Sequence, residues 1–189
     1  MSVSQATSSP ALAALRAATA AQHAQLDAGL PLARDGATAA DYREHLQVLR
    51  GWLQACRPAL EATCPGDAAL LLGWLAADLG ADEGPARPGR TDWASPPAAW
   101  GVAYVVQGSQ LGGQVLTRRL GDALAPQPLH YLQGRGRDTG AHWQGFLRAL
   151  HAALGDDARA IAAACDAAVQ AFDQLQRAFD ARFSEAAPR

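Results

Sequence analysis

Two features of this chain can do chemistry: one histidine and one run of glycines. His23 stands in Leu15-Arg-Ala-Ala-Thr-Ala-Ala-Gln-His23-Ala-Gln-Leu-Asp27, with Ala20, Ala21 and Ala24 around it. Small neighbours leave room beside an imidazole. Asp27 is one helical turn further on, where a carboxylate can hold Nδ1–H and make Nε2 a stronger metal donor. Arg16 lies two turns earlier on the same face. The second feature is Gly108-Ser-Gln-Leu-Gly-Gly113, inside an otherwise apolar helical pattern. Each of its glycines weakens a helix by about 1 kcal/mol relative to alanine. Gly101, Gly108 and Gly112 share one face, which leaves bare main chain over about three turns. A flat or bulky group can approach there, and the helix can bend. Tyr104, Val105, Leu111, Val115 and Leu116 make the surroundings largely apolar. A roomy imidazole on one helix and a side-chain-free patch on another suit a planar metal macrocycle. It would be ligated from one side and crowded from the other.

Each feature also has a plainer reading. His23 can be a solvated surface histidine followed by a helix-face charge. The glycines can serve close helix–helix packing. The other histidines offer less. His45 is expected to be exposed beside Arg43 and Glu44, His130 to lie in a loop, and His142 and His151 to sit at the rim of an apolar stripe. No two histidines have H-x-x-x-H spacing and none has H-x-x-E spacing, so a metal cage of several protein ligands is not expected.

The elements that must position these residues are helical nearly throughout. Leu12, Leu15, Thr19, Leu26 and Leu30 recur at helical spacing from about Pro10 to Leu30. Thr38 and Asp41 form a near capping box for a helix to about Ala62, buried along Leu46, Leu49, Leu53 and Leu60 and bent near Pro58. Asp67 caps a shorter helix to Leu79. Residues 80–96 are rich in glycine and proline and read as a loop. Pro97 opens the glycine-broken helix, which runs to Leu120. Residues 121–140 read as irregular, with one turn at Pro128 to Gln133. Asp138 starts a helix to Leu154, and a last helix reaches Phe183 with Ile161, Cys165, Val169, Phe172, Leu175 and Phe179 inward. No window alternates like a strand. The expectation is one all-α domain of six or seven helices over residues 10–184, behind a disordered tail over 1–9.

Composition narrows the function. The 189 residues are 49% hydrophobic, enough for one domain with a full core. A net charge of −2 argues against a nucleic-acid partner. All 16 basic residues are arginine, so any permanent side-chain cation at an anion site is an arginine. Cys56, Cys64 and Cys165 are odd in number and lack C-x-x-C spacing. They read as reduced thiols of a cytoplasmic protein without disulfides or zinc. The long uncharged stretch from Trp93 to Thr117 holds Ser, Gln, Pro and glycines, so it reads as a buried helix with its preceding loop and not as a membrane span.

Leu15-Arg16-x-Ala18-Thr19-x3-His23 and Gly108-Ser-x-Leu-Gly-Gly113, well separated in an all-helical chain of this length, together resemble the heme oxygenases, most nearly the bacterial group that supplies biliverdin or frees iron. The resemblance spans about residues 10–180. It implies a helical bundle with heme sandwiched between a proximal first helix and a glycine-kinked distal helix. By it, His23 would be the proximal iron ligand, with Asp27 one turn after it. Arg16 would pair with a heme propionate, for which a guanidinium fork is suited. Tyr104 joins the heme contacts, and Arg148 and Arg177 are further propionate candidates. Gly108, Ser109, Gly112 and Gly113 would form the catalytic distal wall. Ser109 stands near the position of an aspartate that orders distal water in animal members, and its hydroxyl can anchor a water instead. The implied reaction uses heme as both substrate and cofactor, takes O2 and electrons from a reductase or ferredoxin, and yields biliverdin, CO and iron. A bilin-accepting photoreceptor is a further implied partner. Two alternatives use the same residues: a heme-binding or heme-transfer protein without turnover, and a helical interaction module.

Overall fold

The computed structural model describes residues 9–80, 93 and 95–184. The expected tail and most of the glycine- and proline-rich loop at 80–96 therefore lie outside the described residues. Seven α-helices are present among those described: α1 Pro10–Gly29, α2 Ala39–Thr63, α3 Asp67–Leu79, α4 Pro96–Leu124, α5 His130–Gln133, α6 Thr139–Leu154 and α7 Ala158–Ser184. Short 3-10 turns at Pro31–Ala33 and Gly136–Asp138 join neighbours, and none of the described residues is in a strand.

Local chemistry accounts for the boundaries. Ser9 accepts from Leu12 N–H ahead of Pro10, which costs the helix no hydrogen bond at its first turn. Thr38 and Asp41 make the full capping box: Asp41 N–H donates to Thr38 Oγ1 at 3.2 Å, and Thr38 N–H to Asp41 Oδ2 at 2.8 Å. Pro58 lies inside α2 without ending it. Asp67 is not a cap. Gly66 takes that position with φ +88°, and Asp67 is the first helical residue, its carboxylate committed to other helices. The glycine-containing α4 is longer than its apolar pattern, running 29 residues without interruption. Part of the stretch read as irregular is ordered by tertiary contacts, which periodicity does not report.

The core forms where α7 packs along α1, α2 and α4, while α4 also meets α2, α5 and α6. Leu12, Leu15, Leu46, Leu53, Val102, Val106, Leu150, Phe172 and Leu175 are buried within it. Trp52 spans the α2–α7 contact, its Nε1–H donating to Ala171 O at 3.0 Å. None of the described helices is long and apolar enough to cross a membrane.

Candidate functional site

A cavity of about 380 Å³ opens between α1 and α4, within the roughly 300–1,000 Å³ of small-molecule sites. His23, Leu26, Asp27 and Leu30 supply one wall. Another wall comes from α4, which supplies Val105, Gly108, Ser109, Gly112, Gly113, Val115, Leu116 and Arg119. The back is closed by His45 and Leu49 of α2, Tyr131 and Leu132 of α5, and Phe172, Leu175 and Phe179 of α7.

The structure thus brings His23 and the glycine run to one space from two helices. The His23 imidazole is exposed and rests on the edge of Phe172, ring centroids 4.7 Å apart and tilted by 60°. Asp27 shares its wall, but among the described residues no hydrogen bond joins the two.

The glycines divide by task. A Cβ on Gly112 would meet nothing within 4 Å, so the wall there is bare because nothing fills the space before it. A Cβ on Gly108 would make ordinary contact with the Trp143 ring at 3.8 Å. Gly113 is tighter, its Cβ position 3.0 Å from Leu132 O. Gly101 does not belong to the cavity, contrary to the single-face reading. A Cβ there would stand 1.9 Å from Ala164 O, so this glycine exists to let α4 and α7 touch backbone to backbone. Ser109 Oγ–H donates to Val106 O at 2.7 Å. With its proton committed to its own helix, the hydroxyl faces the cavity as an acceptor.

Arg16 and Tyr104 are neighbours at the N-terminal side of His23. Burial raises the Tyr104 phenol, opposed by the Thr19 hydroxyl and the Arg16 charge. Neither residue is on the cavity wall; nor are the exposed Arg148 and Arg177. The wall's cation is Arg119, whose Nη2–H donates to Leu32 O at 2.7 Å and Arg34 O at 3.1 Å. It lies seven residues after Gly112, so the glycine face, extended by two turns, would have found it.

His45 corrects another expectation. It is buried at 5% exposure on the back wall, stacked on Phe179 with centroids 5.0 Å apart. Arg43 and Glu44 are adjacent in sequence, but each step turns a helix by about 100°, and His45 falls with Tyr42, Leu46 and Leu49 on the buried face. Burial pushes its pKa down to about 4, so the ring is neutral, and its Nδ1 has no hydrogen-bond partner. Tyr131 is the other polar group there. Burial pushes its hydroxyl up to about 12, and although Ser109 and Gln110 lie beside it, neither meets it in hydrogen-bond geometry. No local pattern marks Tyr131, because its position depends on Asp78: the carboxylate accepts from Tyr131 N–H at 2.9 Å, Tyr42 O–H at 2.7 Å and His130 N–H at 2.9 Å. His130 opens α5 instead of lying in a loop. His142 is half-buried on α6 and bonded to Asp67, while His151 is exposed.

A planar group with an iron centre fits this arrangement. One imidazole is unencumbered, the α4 wall is bare at its glycines, the lining is mainly apolar and the buried His45 and Tyr131 carry no charge. No family model and no curated protein sequence matches the chain. Among solved structures it is similar to the NO- and CO-bound heme oxygenase from Neisseria meningitidis, with 20% identity over 90% of each chain and a TM-score of 0.69. The chain has the all-α fold of that enzyme.

Proposed function

We propose that this protein is a heme oxygenase, opening heme to biliverdin with release of CO and iron at the expense of O2 and electrons from a reductase or ferredoxin. The observation that carries the reading is that His23 of α1 and the glycine run of α4 line the same cavity. The fold likeness over 90% of the chain supports it.

When bound, heme supplies the iron that activates O2 and is itself the ring that is opened. His23 would hold the iron as a neutral imidazole, with Asp27 one turn away to orient it. Arg16, beside Tyr104, would pair with a propionate, Tyr104 would join the contacts to the ring, and Arg148 and Arg177 are candidates for the same task as Arg16. At Gly112 main chain stands where a larger residue would enter the open space, so this wall would restrict the room left for a small ligand beside the bound group. Ser109 and Tyr131 can order water without supplying a strong acid, since the phenol holds its proton well above neutral pH and the buried His45 stays uncharged. That combination would withhold a strong proton donor from a ligand bound in the cavity.

Reconstitution tests the proposal. Purified protein with one equivalent of heme, ascorbate and O2 should lose its Soret band and develop a bilin absorption. A stable oxy-complex would make it a heme carrier, which the same walls would serve.

A further inference from the structure

Gly108, Gly112 and Gly113 have no side chains with which to hold their stretch of α4 in place, yet its position sets the width of the cavity. What holds it lies behind it. Gln107, Gln110 and Gln114 follow i, i+3, i+7 spacing, which puts them on one face of α4. Gly108, Gly112 and Arg119 line the cavity from the other face. Gln107 and Gln114 bracket the glycine run, and both amides are committed. Gln107 Nε2–H donates to Asp67 Oδ2 at 2.6 Å, and its Oε1 lies 3.1 Å from His142 Nε2, which also lies 3.0 Å from the same Asp67 oxygen. Arg135 completes this knot, its Nη2–H donating to Asp67 Oδ1 at 2.6 Å. Gln114 Nε2–H donates to Gln133 O at 2.7 Å and Thr139 Oγ1 at 3.2 Å. Between the two anchors, Gly113 presses on Leu132 O. These anchors all run to α3 or to the α5–α6 segment, while Arg119, two turns beyond Gly112, is tied to Leu32 O and Arg34 O.

We propose that Gln107 and Gln114 are positioning residues: they tie the glycine wall from behind and set its spacing from the heme. The inference rests on the heme reading above. A wall of glycines gains little from its own helix propensity, and a helix tied at two points one glycine run apart cannot retreat from a crowded ligand. Neither amide touches the cavity, so their effect is on geometry and not on chemistry.

Gln107→Leu, Gln114→Leu and the double variant test this, with Leu154→Ala as a control chosen to lower thermal stability far along α6 from the knot. Heme affinity, the C–O stretching frequency and the CO release rate are read on the ferrous CO complex, and amide exchange over residues 106–116 on the heme-free protein. Heme affinity should stay within about twofold. CO release should slow as crowding relaxes, by about tenfold for each ~1.4 kcal/mol of crowding removed. The C–O frequency should move in the double variant and not in Leu154→Ala, and exchange should rise over the glycine run. An unchanged frequency and release rate in heme-bound variants overturns the positioning role, as does an equal change in Leu154→Ala. Failure of the unaltered protein to bind heme overturns the heme reading, and this inference with it.

Discussion

The Cβ that Gly101 lacks would stand 1.9 Å from the carbonyl oxygen of Ala164, so α4 and α7 meet main chain to main chain at that point. Eleven residues on, the Cβ that Gly112 lacks would meet nothing within 4 Å. Two glycines of one helix face thus answer to different demands, and they should respond oppositely to alanine. Gly101→Ala must push two helices apart and should cost about 2–3 kcal/mol, seen as a lower melting temperature. Gly112→Ala should be stability-neutral or gain up to about 1 kcal/mol from helix propensity, while turnover of heme falls. A Gly112→Ala protein that degrades heme at the normal rate would remove the bare wall from the mechanism.

His23→Ala should fold normally, because the imidazole is exposed and, among the described residues, its ring contact is with Phe172. The heme complex should lose the spectrum of an imidazole-ligated iron, and added imidazole should restore it. Unchanged heme affinity and spectrum would refute His23 as the ligand.

Asp78 is a structural hub. Its buried carboxylate accepts from Tyr42 O–H, from Tyr131 N–H and from His130 N–H, and lies 2.6 Å from His130 Nδ1. Asp78→Ala should destabilise by roughly 3 kcal/mol or more, because a buried donor left without a partner costs about 1–3 kcal/mol. Tyr42→Phe, which removes one donor, should cost only about 1 kcal/mol. Denaturant midpoints at neutral pH measure both, and equal losses would show that the network is not centred on the carboxylate.

His45 makes stability depend on pH. Its folded pKa is depressed to about 4 by burial, against 6.5 for the free side chain. Between those values the unfolded chain binds the extra proton and the folded chain does not, so stability rises with pH across that window. The contribution is fully present above about 6.5 and is lost as pH falls toward 4, by roughly 3 kcal/mol at most. In His45→Gln the loss across that window should shrink accordingly. A wild-type stability flat from pH 6.5 to 4 would contradict it.

The helices, the Thr38–Asp41 capping box, the roomy histidine and the glycine run were each legible in the chain itself, because each is local. Leu12, Leu15 and Thr19 repeat on one face, Thr38 and Asp41 are three residues apart, and glycine announces missing side chains wherever it occurs. The spacing could not say which glycine faces a neighbour and which faces a cavity. Gly101 and Gly112 share a helix face, and only the packing of α7 against its first half separates them. Local charge also misled at His45, since solvent exposure follows the helix face and not the adjacent residues. The back wall and the anchors of α4 had no local signature at all. Tyr131 depends on Asp78, 53 positions away, and Gln107 on Asp67, 40 positions away. Such contacts exist only once the helices have docked, because a side-chain hydrogen bond between distant residues gains nothing until hydrophobic burial has met the entropy of closing the chain between them.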